Sequence, residues 1–128
     1  MTDGAMHADY ARGRETRAEL VYRYRFRAAA AVAAAPGMRG GRLLDLGAAE
    51  GRTLGEMMRL GGPQEAVGVE LSADLVARAG ELGFPVVAGD VQALPEGVRD
   101  RSFDVVTALA VLEHLPDPAA CLRRRRFR

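Results

Sequence analysis

Three carboxylates and a turn of small residues are the parts of this 128-residue chain whose types and spacing suit chemistry. Residues Arg42 to Thr53 read Arg-Leu-Leu-Asp-Leu-Gly-Ala-Ala-Glu-Gly-Arg-Thr. Gly47, Ala48, Ala49 and Gly51 leave little side-chain bulk where a ligand would approach backbone N–H groups, and Asp45 stands two residues before the first glycine. Such a turn suits a nucleotide. Glu70 and Asp90 each follow a short apolar run, and a carboxylate with two acceptor oxygens suits hydroxyl or amino donors. Taken singly, both read as solvated acids at strand ends; together with the turn they become candidate ligand contacts. His114 is a candidate general base, although a lone histidine between a strand and a helix reads first as structural.

These residues need elements to hold them. Leu43, Leu44 and Leu46 form the continuous apolar run of a strand covered on both faces, at about Arg42 to Leu46. Gly51 to Leu60 predicts a helix with Leu54, Met57 and Met58 turned toward a sheet, ended by Gly61-Gly62-Pro63. Ala66 to Leu71 predicts a second strand, followed by Ser72 as N-cap and a helix with Leu75, Ala79 and Leu82 on one face, closed by Gly83. Pro85 to Gly89 is the third strand, Leu94-Pro95-Glu96-Gly97 a surface turn, and Phe103 to Leu109 the fourth strand. Asp117 then caps a helix with Pro118 at its first position.

Upstream, residues 1–14 read as a flexible lead-in and Glu15 to Ala35 as a helix ended at Pro36-Gly37, with Leu20, Tyr24, Ala28 and Ala31 on one face. Tyr22 to Phe26 alternates aromatic and basic residues with the period of a strand, against the helical propensity of the alanine run that follows. The reading taken is a helix with a solvated arginine face and aromatics packed on the sheet. The domain thus runs over 15–128, with the helix at 15–35, a ligand-binding half at 41–122 and a basic tail at 123–128.

The order predicts half of a doubly wound α/β sheet, Rossmann-like and parallel, with strand order 3-2-1-4. Parallel strands would bring Gly47 to Gly51, Glu70, Asp90 and the Leu109 to His114 segment to one cleft beyond their carboxyl ends. A dinucleotide loop wants glycines at the first, third and sixth positions of its motif, where this chain has Gly47, Ala49 and Arg52. First, third and fifth give Gly47, Ala49 and Gly51.

With that spacing, the segments Leu43 to Gly51, Val67 to Ser72, Gly89 to Val91 with Leu94-Pro95, and Ser102 to Leu115 together resemble class I S-adenosylmethionine-dependent methyltransferases, of the group similar to ubiquinone and menaquinone biosynthesis enzymes. The resemblance covers about two thirds of the chain and implies methyl transfer to a small-molecule acceptor. It further implies that Gly47 and Gly51 let the loop approach the methionyl part of S-adenosyl-L-methionine and that Asp45 orders that loop. Glu70, with Leu71 beside it, would receive the ribose hydroxyls, Asp90 and the Val91 backbone the adenine, and Leu109 would pass the methionyl end. Ala49 stands where the family has glycine. Two alternatives stay open: a non-catalytic or truncated S-adenosylmethionine-binding module, and an NAD-binding oxidoreductase. Family members continue into three further strands after this point, so the chain is expected to be C-terminally truncated, with its fourth strand an open edge that invites self-association.

Composition excludes other classes. The 18 basic residues are all arginine, so lysine-based Schiff-base or P-loop chemistry is out. The net charge of +1 argues against a chain-wide nucleic-acid or membrane field. The single Cys121 forbids an internal disulfide and, with two histidines, leaves no cysteine or histidine metal cluster; it also points to a reducing cytoplasm. No window approaches the roughly 18 apolar residues of a membrane span.

Overall fold

The computed structural model describes residues 17–109. The lead-in, His114, the helix expected from Pro118, Cys121 and the basic tail lie outside the described residues.

A helix at Arg17–Ala34 (α1) opens the described chain and runs through the segment whose aromatic and basic residues alternate. Helix, once nucleated in the alanine run, propagates one hydrogen bond per residue, and the period-two pattern has no neighbouring strand to pair with. Phe26 does not pack on the sheet as expected. Phe26 is 62% exposed and Tyr24 half-buried, while Ala28 is the fully buried residue of this face. A small side chain lets the helix axis approach its neighbours, and Ala28, on the face that the spacing predicts, makes the contact with Ala31 beside it. A single turn of 3-10 helix at Pro36–Met38 follows and buries Met38.

The sheet is built from Arg42–Leu46 (β1), Glu65–Glu70 (β2), Val86–Ala88 (β3) and Val105–Thr107 (β4), all parallel and in the order β3-β2-β1-β4. Register places Asp45 beside Gly68 on one side and Thr107 on the other. Between the strands lie helices Arg52–Gly61 (α2) and Ala73–Leu82 (α3), and a short turn of helix at Glu96–Arg99 (α4). Ser72 caps α3 by accepting the Leu75 N–H at 3.3 Å, and Gly62 and Gly83 end α2 and α3 in left-handed conformation, as their positions in the sequence predict.

Leu43 to Leu46 are all buried because both faces of β1 are covered. On one face Leu44 and Leu46 pack with Val67, Val69, Val91, Leu94, Val98 and Phe103. On the other, Leu43 packs with Ala28 of α1, Met38, and Leu54 and Met57 of α2. Met58 is 37% exposed and leaves the sheet-facing stripe that its spacing predicts. The Leu94 to Gly97 surface turn is also corrected: Leu94 and Val98 are buried, and α4 closes over the first core rather than looping into solvent. β4 is shorter than the expected run from Phe103 to Leu109; before it, Asp104 donates its backbone N–H to the Arg42 carbonyl at 2.9 Å and receives the Arg42 N–H on its side chain at 2.8 Å. Phe103 instead packs into the core.

Candidate functional site

Because all four strands are parallel, their carboxyl ends lie along one edge of the sheet, and the turn after β1, Glu70, Asp90 and Leu109 are all found there. β1 leaves the sheet through Gly47 at φ 71°, whose N–H still donates to the Val69 carbonyl at 2.8 Å. Ala49 adopts φ 53°, the one non-glycine residue in left-handed backbone among those described. Gly51, at φ 88°, is the N-cap of α2. A Cβ on Gly51 would stand 2.6 Å from the Phe84 Cβ, so the missing side chain admits Phe84. The bareness of Gly51 thus serves the packing of the segment before β3.

Glu70 ends β2 and is 3% exposed. Its Oε1 accepts the Ala49 N–H at 2.8 Å and its Oε2 accepts the Ser72 N–H at 2.9 Å. One carboxylate therefore joins the turn after β1 to the turn after β2. Each oxygen keeps one further acceptor position. Glu70 is thus no solvated strand-end acid. Outside this joint, Glu50 pairs with Arg52 at 3.0 Å and with Arg78 of α3 at 3.9 Å, a second and more exposed tie between the same two segments.

Asp45 is buried beneath the turn, and its Oδ1 lies 2.7 Å from the Thr107 hydroxyl. Burial pushes its carboxyl up to about 7; the Thr107 hydrogen bond pulls the other way, and the nearby negative charge of Glu70 adds to the rise. Thr107 escaped the sequence reading. Its signal was present: a threonine within an apolar strand, at the register that faces the acid of β1.

Asp90 lies two residues beyond Ala88, the β3 partner of Glu70, and is exposed. Its Oδ1 accepts the Gln92 N–H at 2.8 Å, which begins a tight turn closed by an antiparallel bridge between Asp90 and Ala93. Of the other candidates, Leu71 is 67% exposed on the turn after β2 and presents an apolar face beside Glu70. Val91 turns its side chain into the core, and Leu109 is half-buried against the α1/α2 side of the sheet. Among the described residues no group of three histidine, cysteine or acidic side chains forms a metal site. No described helix is long and apolar enough to cross a membrane.

Solved structures share the fold that carries these residues. An S-adenosylmethionine-dependent methyltransferase from Mesorhizobium loti superposes with a TM-score of 0.61 at 26% identity, over 74% of this chain and 45% of that one. The S-adenosylmethionine-bound amino pentose methyltransferase CalS10 from Micromonospora echinaspora gives 0.67 at 23% identity, over 97% of this chain and 50% of that one, a likeness of fold alone. In sequence, the ubiquinone biosynthesis O-methyltransferase of Xanthomonas campestris pv. campestris is 37% identical over 95 residues, which cover 72% of this chain and 40% of that protein. The chain therefore spans less than half the length of the curated relatives it matches. A family model described as a methyltransferase domain matches residues 44–126, the span that holds the turn after β1, Glu70 and Asp90, and the chain belongs to that methyltransferase family.

Proposed function

We propose that this chain forms the S-adenosylmethionine-binding half of an enzyme that methylates a small-molecule acceptor. The observation that carries the reading is the Glu70 joint, a buried carboxylate at the carboxyl end of β2, tied to the turn after β1, with an acceptor position left on each oxygen. A ribose diol, with two adjacent hydroxyl donors, matches that pair of positions. The relatives named above support the same assignment.

The remaining residues suit the rest of the cofactor. The turn from Gly47 to Ala49 offers backbone N–H groups and little bulk to the methionyl part, and exposed Asp90 offers an acceptor to the adenine amino group with Val91 beside it. Exposed Leu71 supplies an apolar surface next to the ribose position. When bound, the cofactor supplies an activated sulfonium methyl group for in-line displacement at carbon. The protein's task is then alignment and exclusion of water, which bring large rate gains without a dedicated acid or base. Glu70 and the two turns it joins do this by holding the ribose in one orientation, and Asp45 and Thr107 hold the first turn from below.

The acceptor class rests on the O-methyltransferase relatives. The single Cys121 supports a cytoplasmic setting. Among the described residues β4 pairs on one side only, which supports self-association through that edge.

Calorimetry of the full chain with S-adenosylhomocysteine and with NAD tests the proposal. Heat with the first and none with the second is expected, with loss of the heat in Glu70→Ala. Heat with NAD alone would move the chain to the oxidoreductase reading, for which Arg52 stands in the place of the third glycine.

A further inference from the structure

The helices that follow β1 and β2 begin differently. α3 has a side-chain cap, the Ser72 hydroxyl, which accepts the Leu75 N–H. α2 begins at Gly51, which has no side chain to offer, and continues into Arg52, a cation at the end of the helix that favours acids. No side chain caps α2. Glu50 offsets the charge of Arg52 and reaches Arg78, but these are partly exposed ion pairs, which hold little. The start of α2 is also the end of the turn after β1, so whatever fixes the one fixes the other.

Phe84 is what meets this start. It stands between Gly83, which ends α3, and Pro85, which leads into β3. Its backbone is tied to both sides: the N–H donates to the Ala79 carbonyl of α3 at 2.9 Å, and the carbonyl accepts the Val86 N–H at 2.9 Å. The ring lies along the flank of α2. A Cβ on Gly51 would stand 2.6 Å from the Phe84 Cβ and 3.0 Å from its Cγ, and a Cβ on Gly55 would overlap the ring at Cε1 and stand 2.9 Å from Cδ1. Residues four apart share one face of a helix, so the two bare positions form one seat, which Val86 Cγ2 completes 3.1 Å from the Gly51 position. Gly55 lies within the helix and has no positive φ, so its backbone does not call for glycine. Glycine there weakens the helix relative to alanine, and the room it leaves for the ring is the compensation.

We infer that Phe84 is a positioning residue for the cofactor turn: its ring, seated on Gly51 and Gly55, fixes the start of α2 and with it the backbone from Gly47 to Gly51. A side-chain cap would occupy a backbone N–H of the first helical turn. A ring set against the flank fixes the same turn and occupies none. Such preorganisation acts on affinity, because a turn that is in its binding conformation for only a fraction of the time weakens Kd by that fraction. The inference rests on the cofactor reading of this edge of the sheet, and it assigns Phe84 no contact with the cofactor.

The test is calorimetry of the full chain with S-adenosylhomocysteine, with amide hydrogen exchange and urea denaturation on the same variants. Phe84→Leu keeps apolar bulk but no longer spans both glycines; it should weaken Kd about tenfold, as expected of a turn competent about one time in ten, and quicken exchange at Arg52, Thr53 and Leu54. Gly55→Ala, whose methyl meets the ring, should weaken Kd as well. The two together should bind more tightly than either alone, since the alanine methyl then takes space that the ring has left. Val98→Ala, which thins the core on the other face of the sheet, should lower the urea midpoint and leave Kd unchanged. Unchanged Kd in Phe84→Leu, or an equal loss of affinity in Val98→Ala, overturns the inference and leaves the cofactor reading standing. A double variant that binds more weakly than both single ones also overturns it. If Phe84→Leu fails to fold, wild-type affinity in Gly55→Ala does so, and absence of heat with the unaltered chain overturns both the inference and the cofactor reading.

Discussion

Asp45 makes the stability of this domain depend on pH in an unusual direction. A carboxyl raised in the fold from 3.8 to about 7 binds its proton more tightly folded than unfolded. Between those two values the native state carries more protons, so stability falls as pH rises and levels off above about 7. At about 1.4 kcal/mol per pKa unit the whole effect is on the order of 4 kcal/mol, of which roughly 3 kcal/mol falls between pH 5 and pH 8. That is a large share of the 5–15 kcal/mol that holds a typical domain together. Paired or hydrogen-bonded carboxylates in most proteins act in the opposite sense, since their depressed pKa values make stability fall on acidification. The assay is urea denaturation of the full chain followed by circular dichroism at pH 5, 6, 7 and 8. Asp45→Asn, which keeps the shape and an oxygen for Thr107 to donate to, should flatten the profile and be the more stable protein at pH 8. A wild-type profile that is flat or rises over this window would refute the reasoning. So would a fall that survives in the asparagine variant, because it would belong to another group.

Other outcomes follow from the same turn. Ala49→Gly relieves a left-handed alanine at φ 53° and should stabilise the chain by about 1 kcal/mol, read as a raised urea midpoint with unchanged slope. Gly51→Ala, which brings a Cβ to 2.6 Å from that of Phe84 and forces alanine to φ 88°, should destabilise by about 1–3 kcal/mol by the same measurement. Glu70→Ala strips two backbone N–H groups of their acceptor and should cost about 1–3 kcal/mol for each that water cannot reach; hydrogen exchange at Ala49 and Ser72 should quicken first. If self-association runs through β4, a proline at Val106 should lower the apparent mass in light scattering more than the same substitution at Val87 on the opposite edge.

Much of this architecture could be read from residues near one another in the chain. Apolar runs bounded by Gly61-Gly62-Pro63, Ser72 and Gly83 locate strands and helix ends, because capping and turn conformations are local properties of those residue types. The alternation of strand and helix implies parallel strands, and parallel strands bring Glu70, Asp90 and the turn after β1 to one edge. Packing decided the rest, since it depends on residues far apart in sequence. Nothing local says that Phe84 fills the space over Gly51, or that Leu94 and Val98 close over the core. The chemistry of the site divides in the same way. The carboxylates were visible as strand-end acids, but their roles follow from their partners: Glu70 from the Ala49 and Ser72 N–H groups, and Asp45 from Thr107, 62 residues away in the chain. A carboxyl's charge is set by what surrounds it in space, and only the folded chain assembles those surroundings.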